Sequence, residues 1–250
     1  MEKGEGMWEV RRKMSKRLPE VVKAAVESIR EGRMVLIYDA DDREGETDLA
    51  LPALATMPAD VARLRRDGGG LVCVAIHGGA AERLGLPFVS DVLGSVGERF
   101  LAVKRLVERE GDVPYDKRSS FSLWVNHRAT FTGITDRDRA LTIRKIGEAV
   151  RSVLNGERYD FSAEFRTPGH VAILRSADRL VKERQGQTEL SVALAMLAGV
   201  TPAMVICEML DASTGMALSK KDAKAYAAEH GFVFIEGKDI VKACETVGLA

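Results

Sequence analysis

The stretch "MVLIYDADDREGETDLALPAL" (34–54) sets two apolar runs on either side of a loop crowded with acids. "MVLIYD" (34–39) is apolar up to its last residue, the pattern of a strand buried on both faces. "LALPAL" (49–54) reads as a second strand or as a passage from strand to helix. A strand buried on both faces needs helices above and below it. The stretch therefore predicts a three-layer α/β (α+β) domain with a mixed, twisted sheet.

The flanks extend that alternation. Upstream, "LPEVVKAAVESIREG" (18–32) places Val22, Val26 and Ile29 on one helical face, with Gly32 where a helix stops. Downstream, "MPADVARLRRDGGG" predicts a short helix with a glycine exit, and "LVCVAI" (71–76) a buried strand. "FSLWVN" (121–126) and "HVAILR" (170–175) read as strands, and 136–154 as a long helix. A helix over 188–198, the strand "AMVICEML" and a helix over 219–230 follow, the last opened by Ser219 and Asp222 in a capping-box spacing. "FVFIE" and a terminal helix close the chain. Segments 85–120 and 156–168 show no clear periodicity, and the first is expected to be an irregular excursion from the sheet. No repeat or linker divides the chain, so 18–250 is expected to be one domain behind an N-terminal extension over 1–17.

Composition narrows the class. Lys plus Arg and Asp plus Glu balance at 37 each, so no global field favours nucleic acid or an anionic membrane. Cys73, Cys207 and Cys244 are sparse and far apart, which suits reduced thiols in a cytoplasmic protein. The start has no apolar signal-peptide core. The uncharged run 190–207 is broken by Gly199 and Pro202, so it reads as helix, turn and strand rather than as a membrane span.

Four stretches carry chemistry. In "DADDREGETD" (39–48), Asp39 ends a strand, and Glu44, Glu46 and Asp48 alternate around Gly45 and Thr47. Alternate residues of an extended segment project to one side, so three carboxylates would share one volume and call for a cation. Oxygen-only ligands suit Mg²⁺, and Arg43 would neutralise part of the cluster or reach an anion. A solvated turn with local ion pairs is the competing reading. In "RTPGHVAILR", His170 follows a Pro-Gly turn, as a structural residue or as a general acid/base. In "KERQGQTEL", Arg184, Thr188 and Glu189 surround a helix start, where free backbone N–H groups suit a phosphate. In "AMVICEML", Glu208 ends an apolar strand, where burial must be offset by a partner or used through a raised pKa. Cys73 and Cys207 lie on apolar strands and read as core residues.

Taken in order, "DREGETD", "TGITDRDR", "PGH", "RQGQTE" and "CE" resemble the 3,4-dihydroxy-2-butanone 4-phosphate synthase family in its archaeal, monofunctional form, over about 18–246. The resemblance implies a homodimer with active sites shared between chains. Such a lyase converts D-ribulose 5-phosphate to L-3,4-dihydroxy-2-butanone 4-phosphate and formate with Mg²⁺ (or Mn²⁺), in riboflavin biosynthesis. It implies Glu44 as a metal ligand, with Arg43, Glu46 and Asp48 around metal and substrate. Arg184, Thr188 and Thr135 would hold the phosphate. Asp39, Cys73, His170, Glu189 and Glu208 would line the catalytic site, His170 and Glu208 being essential. The family motif after the arginine reads Gly-His-Thr-Glu, its histidine being the second metal ligand. Here Gln187 takes that place, and its amide oxygen can still coordinate a hard cation. A sugar-phosphate-binding or regulatory homologue with reduced or lost turnover is the alternative.

Overall fold

Residues 18–249 are described by a computed structural model; the extension expected over 1–17 lies outside them. The strands are β1 (Val35–Tyr38), β2 (Thr47–Pro52), β3 (Cys73–Ile76), β4 (Phe121–His127), β5 (Phe165–Arg175) and β6 (Ala203–Glu208), followed by a small hairpin, β7 (Leu210–Asp211) with β8 (Met216–Ala217), and then β9 (Val233–Glu236). Among the described residues, five longer helices accompany them: α1 (Glu20–Arg30), α2 (Asp136–Leu154), α3 (Gln187–Ala198), α4 (Lys220–His230) and α5 (Gly237–Val247).

All strands but the hairpin pair form one sheet in the order β4-β5-β3-β6-β2-β1-β9. It is mixed: β1 with β9 and β3 with β5 run parallel, and the other neighbours antiparallel. Alternating side chains fill both faces. Leu36, Leu49, Leu51, Val74 and Val205 pack into one core with residues of α2 and α4. Val35, Ile37, Ala50, Cys73 and Ile206 pack into the other with residues of α1, α3 and α5. Each Leu or Ile fully withdrawn from water there contributes roughly 1.5–3 kcal/mol. The three-layer expectation is met.

Two local readings need correction. The strand expected over 170–175 begins five residues earlier, at Phe165. Its pairing with β4 jumps from Asn126↔Arg166 to Val125↔Val171, so residues 167–170 bulge out of the ladder. That exposed bulge interrupts the alternation that would have revealed the strand. Segment 85–120 is an excursion, as expected, but it carries short helices at Val89–Gly94 and Leu101–Arg105.

Registers place the chemistry. Cys73 pairs with Ala172 on one side and with Ile206 on the other, while Asp48 pairs with both Ile37 and Glu208. Asp48 and Glu208 are each two residues from positions that face α3, so they face it too.

Candidate functional site

The acidic loop is shaped by Asp39. Its buried carboxylate accepts hydrogen bonds from the backbone N–H of Glu44 and of Glu46, both at 3.0 Å, while Asp39 N–H donates to Glu46 O at 3.2 Å. Asp39 is thus the loop's internal brace. The expected strand-like alternation of Glu44, Glu46 and Asp48 does not hold: Gly45 adopts φ +68°, and β2 starts only at Thr47. Glu44 therefore reaches the cluster from a turn, and Asp48 from the strand. The acids still converge: Glu208, Glu44 and Glu46 all raise the proton affinity of Asp48.

Burial, then Glu44, then Glu208, push the Glu46 carboxyl up to about 7. Asp48 is fully buried and both its oxygens lack a hydrogen-bond partner. Burial foremost, then Glu208 and Glu44, hold it well above the usual carboxylate range. Glu44 and Glu208 are also raised, chiefly by burial. Glu208 Oε2 accepts from Leu71 N–H at 2.6 Å, which fixes the carboxylate beside the entry to β3. Cys73 lies next to these acids. Burial pushes its thiol well above the usual range, which suits a residue of the site's floor.

Beside the acids stands a cluster of opposite character. Arg43 Nη2 donates to Asp116 Oδ2 at 2.5 Å, and Arg184 Nε donates to the same oxygen. Arg184 Nη1 also donates to Glu189 Oε2 at 2.6 Å, and Glu189 Oε1 accepts from Ala177 N–H at 2.9 Å. Arg43 Nη1 stands 3.5 Å from both Asp39 Oδ2 and Glu44 Oε1, which joins the two clusters. A cleft of about 820 Å³ opens here, lined among others by Arg43, Asp116, Arg175, Lys182, Arg184 and Glu189. Its volume lies in the range of small-molecule sites.

Gln187 and Thr188 begin α3 and are buried. Gln187 Nε2 donates to Ile37 O and to Glu46 O, both at 3.0 Å, which fixes the amide and ties α3 to β1 and the acidic loop. Its Oε1 is the buried atom left without a partner. Among the described residues, no group of three His, Cys, Asp or Glu side chains encloses a metal ion. The available donors are hard oxygens: Glu44, Glu46 and the Gln187 amide. That set fits a cation that keeps several waters, as Mg²⁺ does.

His170 is exposed on the β5 bulge, and Asn126 of β4 grips it twice. Asn126 Oδ1 accepts from His170 N–H at 2.9 Å, so its Nδ2 faces His170 Nδ1 at 3.0 Å. With Nδ1 accepting from the amide, the ring carries its N–H on Nε2. His170 and Glu208 flank the start of β3 from its two neighbouring strands, about 10 Å apart at two strand spacings. Thr135 is elsewhere. It caps α2, accepting from Asp138 N–H at 3.2 Å, on the sheet face opposite α3. Within one chain it does not meet Arg184 or Thr188. Sequence reasoning missed Asn126 and Asp116. The only signal for Asn126 was an amide in an apolar strand, and Asp116 sits in a segment with no pattern.

Residues 23–243 match the family model described as 3,4-dihydroxy-2-butanone 4-phosphate synthase. The chain is 59% identical to the synthase of that name from Archaeoglobus fulgidus, covering 87% of this chain and 91% of that one. It is 55% identical to the one from Methanosarcina mazei, covering 90% and 91%. A crystal structure of the Candida albicans synthase superposes with a TM-score of 0.70 at 27% identity, covering 90% of this chain and 98% of that one. A family match across nearly the whole domain and relatives well above half identical leave one assignment: the chain belongs to the 3,4-dihydroxy-2-butanone 4-phosphate synthase family.

Proposed function

We propose that this site converts D-ribulose 5-phosphate to L-3,4-dihydroxy-2-butanone 4-phosphate and formate, the family's step in riboflavin biosynthesis, with Mg²⁺ or Mn²⁺ bound. The observation that carries the reading is the contrast within the site: a buried, unpaired acid cluster beside an arginine-lined cleft. A sugar phosphate bearing adjacent hydroxyls needs both, one end held by cations and the other by a metal.

The phosphate would sit on Arg184, Thr188 and the first N–H groups of α3, where guanidinium fork and helix dipole act together. Glu44 and the Gln187 amide oxygen would hold the cation, with Glu46 and Asp48 beside it. When bound, that cation polarises neighbouring sugar oxygens and stabilises negative charge on them. The chain's own groups then move protons. The reaction needs removal of the C3 proton, loss of the C1 hydroxyl, a skeletal shift joining C3 to C5, and release of C4 as formate. Glu46, partly exposed and pushed up to about 7, is matched to taking and returning protons near neutrality, and Glu208, partly exposed and raised by burial, is its partner in proton transfer. Asp48 lies at their base, its carboxyl held well above the usual range by burial. His170, with its N–H on Nε2, donates to a substrate oxygen. Asp39, Glu189 and Asn126 hold the loop, Arg184 and His170 in place.

The homodimer belongs to this proposal. Thr135 lies across the sheet from Arg184, so its help at the phosphate requires the copy from a second chain. The loop beside it exposes Phe131 (93%) and Ile134 (50%), apolar surface that suits an interface. Among the described residues no helix is long and apolar enough to cross a membrane.

The alternative, a sugar-phosphate-binding homologue without turnover, rests on Gln187 standing where the family motif carries histidine. Formate release from ribulose 5-phosphate and Mg²⁺ separates the two. Binding with no formate would establish the alternative.

A further inference from the structure

Asp116 takes no part in that reaction, although two guanidinium groups hold it in the cleft. It lies on the loop between Leu101–Arg105 and β4, outside every motif that the sequence offered. A single oxygen, Oδ2, takes hydrogen bonds from both Arg43 and Arg184, while Oδ1 accepts only from Lys117 N–H at 2.9 Å. Side-chain exposures of 11%, 12% and 15% for Arg43, Asp116 and Arg184 put the contact largely out of water.

The fit is incomplete in a telling way. Arg43 Nη1 is buried with no hydrogen-bond partner. Arg184 lies flat across Gly186, where a Cβ would stand 2.3 Å from Nη1, so the guanidinium sits directly at the start of α3. That helix has no side-chain cap. The donors gathered here are two guanidinium groups and an uncapped helix start, and one carboxylate oxygen spans only part of them. A tetrahedral anion with three terminal oxygens could span all of them.

We propose that Asp116 is the resting occupant of the phosphate cradle, an internal competitor that the substrate's phosphate must displace. Asp116 is then a specificity-determining residue. A monoanionic group cannot repay the loss of the Asp116 contacts, whereas a phosphate dianion replaces them and adds a bond to Arg43 Nη1. Uncharged sugars, lacking the anion, leave the cradle closed. The proposal rests on the assignment of this cleft as the phosphate site.

The test uses the full chain and inorganic phosphate as probe, followed by calorimetry without turnover, beside formate release from ribulose 5-phosphate. Asp116→Asn keeps the shape and removes the competing charge. It is expected to tighten inorganic phosphate at least about tenfold, the scale of one charge-assisted contact, and to lower KM with kcat little changed. Asp116→Glu, which keeps the charge, is expected to bind phosphate no tighter than the parent chain. The gain should vanish in the double variant Asp116→Asn/Arg184→Lys, where the fork is lost. Phosphate affinity unchanged or weakened in folded Asp116→Asn overturns the proposal, as does an equal gain in Asp116→Glu. Failure of the enzymatic reading shows separately, as absence of formate from the parent chain whatever the phosphate affinities.

Discussion

Two charge clusters a few ångströms apart obey opposite rules. Around Arg43 and Arg184 each charge has a partner: Asp116, Glu189 and Asp39 answer the two guanidinium groups at hydrogen-bond or ion-pair distance. Around Asp48, carboxylates face carboxylates, and the deepest one has no partner at all. Burying unpaired charge is costly, so a fold keeps such a cluster only by protonating it or by binding a cation. The arginine cluster is closed by the chain itself, and the acid cluster is left to be completed from outside. In the proposed reaction, the contrast would separate the part that recognises substrate from the part that reacts with it.

The most damaging change should strike the open cluster. Glu44→Gln keeps the turn, since Asp39 bonds the backbone of residue 44 and not its side chain. It is expected to lower kcat at least about a hundredfold, the upper range for disturbing a metal site's surroundings. Turnover near normal at low Mg²⁺ would exclude Glu44 as a ligand. The closed cluster should answer differently: Arg184→Lys keeps the charge and loses the fork, so KM should rise about tenfold with kcat less affected. A fall in kcat at constant KM would place Arg184 in the chemistry instead.

Asp48→Asn tests the unpaired burial itself. The folded-state pKa of Asp48 is raised, so above the unfolded value of about 4 the unfolded chain has released a proton that the folded chain retains. Wild-type stability therefore falls as pH rises through that window, and the asparagine variant escapes the loss. With chelator present, the variant should melt higher than wild type by about 3 °C at pH 8, on the scale of a 1 kcal/mol gain, with the gap closing towards pH 4. A gap independent of pH would mean that Asp48 is ionised in the fold. The smallest effect is expected from Gln187→His. Imidazole cannot replace both N–H bonds to Ile37 and Glu46, so stability should drop by about 1 kcal/mol, while preference shifts from Mg²⁺ towards Mn²⁺. An unchanged metal preference would place Gln187 outside the coordination shell.

The two clusters also differ in how far they could be read from sequence. The acids, the arginine and the helix start are contiguous in "DREGETD" and "RQGQTE", where local spacing carries the information. So do the buried strands, whose apolar runs give both faces at once. What stayed hidden depends on distant contact. Asp116 owes its place to a loop without periodicity, and Asn126 meets His170 only because β4 and β5 pair with a four-residue slip. The strand start at Phe165 was masked by the same bulge. Thr135 is legible as a helix cap, but the sheet face on which it ends follows from the packing of α2. Even the correct convergence of Glu44, Glu46 and Asp48 arises from a glycine turn and not from the strand alternation that suggested it.

The central claim is that the open cluster binds a cation to turn over the sugar phosphate that the closed cluster holds. Its most direct test is formate release from D-ribulose 5-phosphate by the wild-type chain, measured with Mg²⁺, after chelation, and after Mg²⁺ is restored. The expected result is formate in step with the four-carbon phosphate, abolished by chelation and regained on restoring the metal. Formate production indifferent to chelation, or none under any condition despite substrate binding, would contradict it.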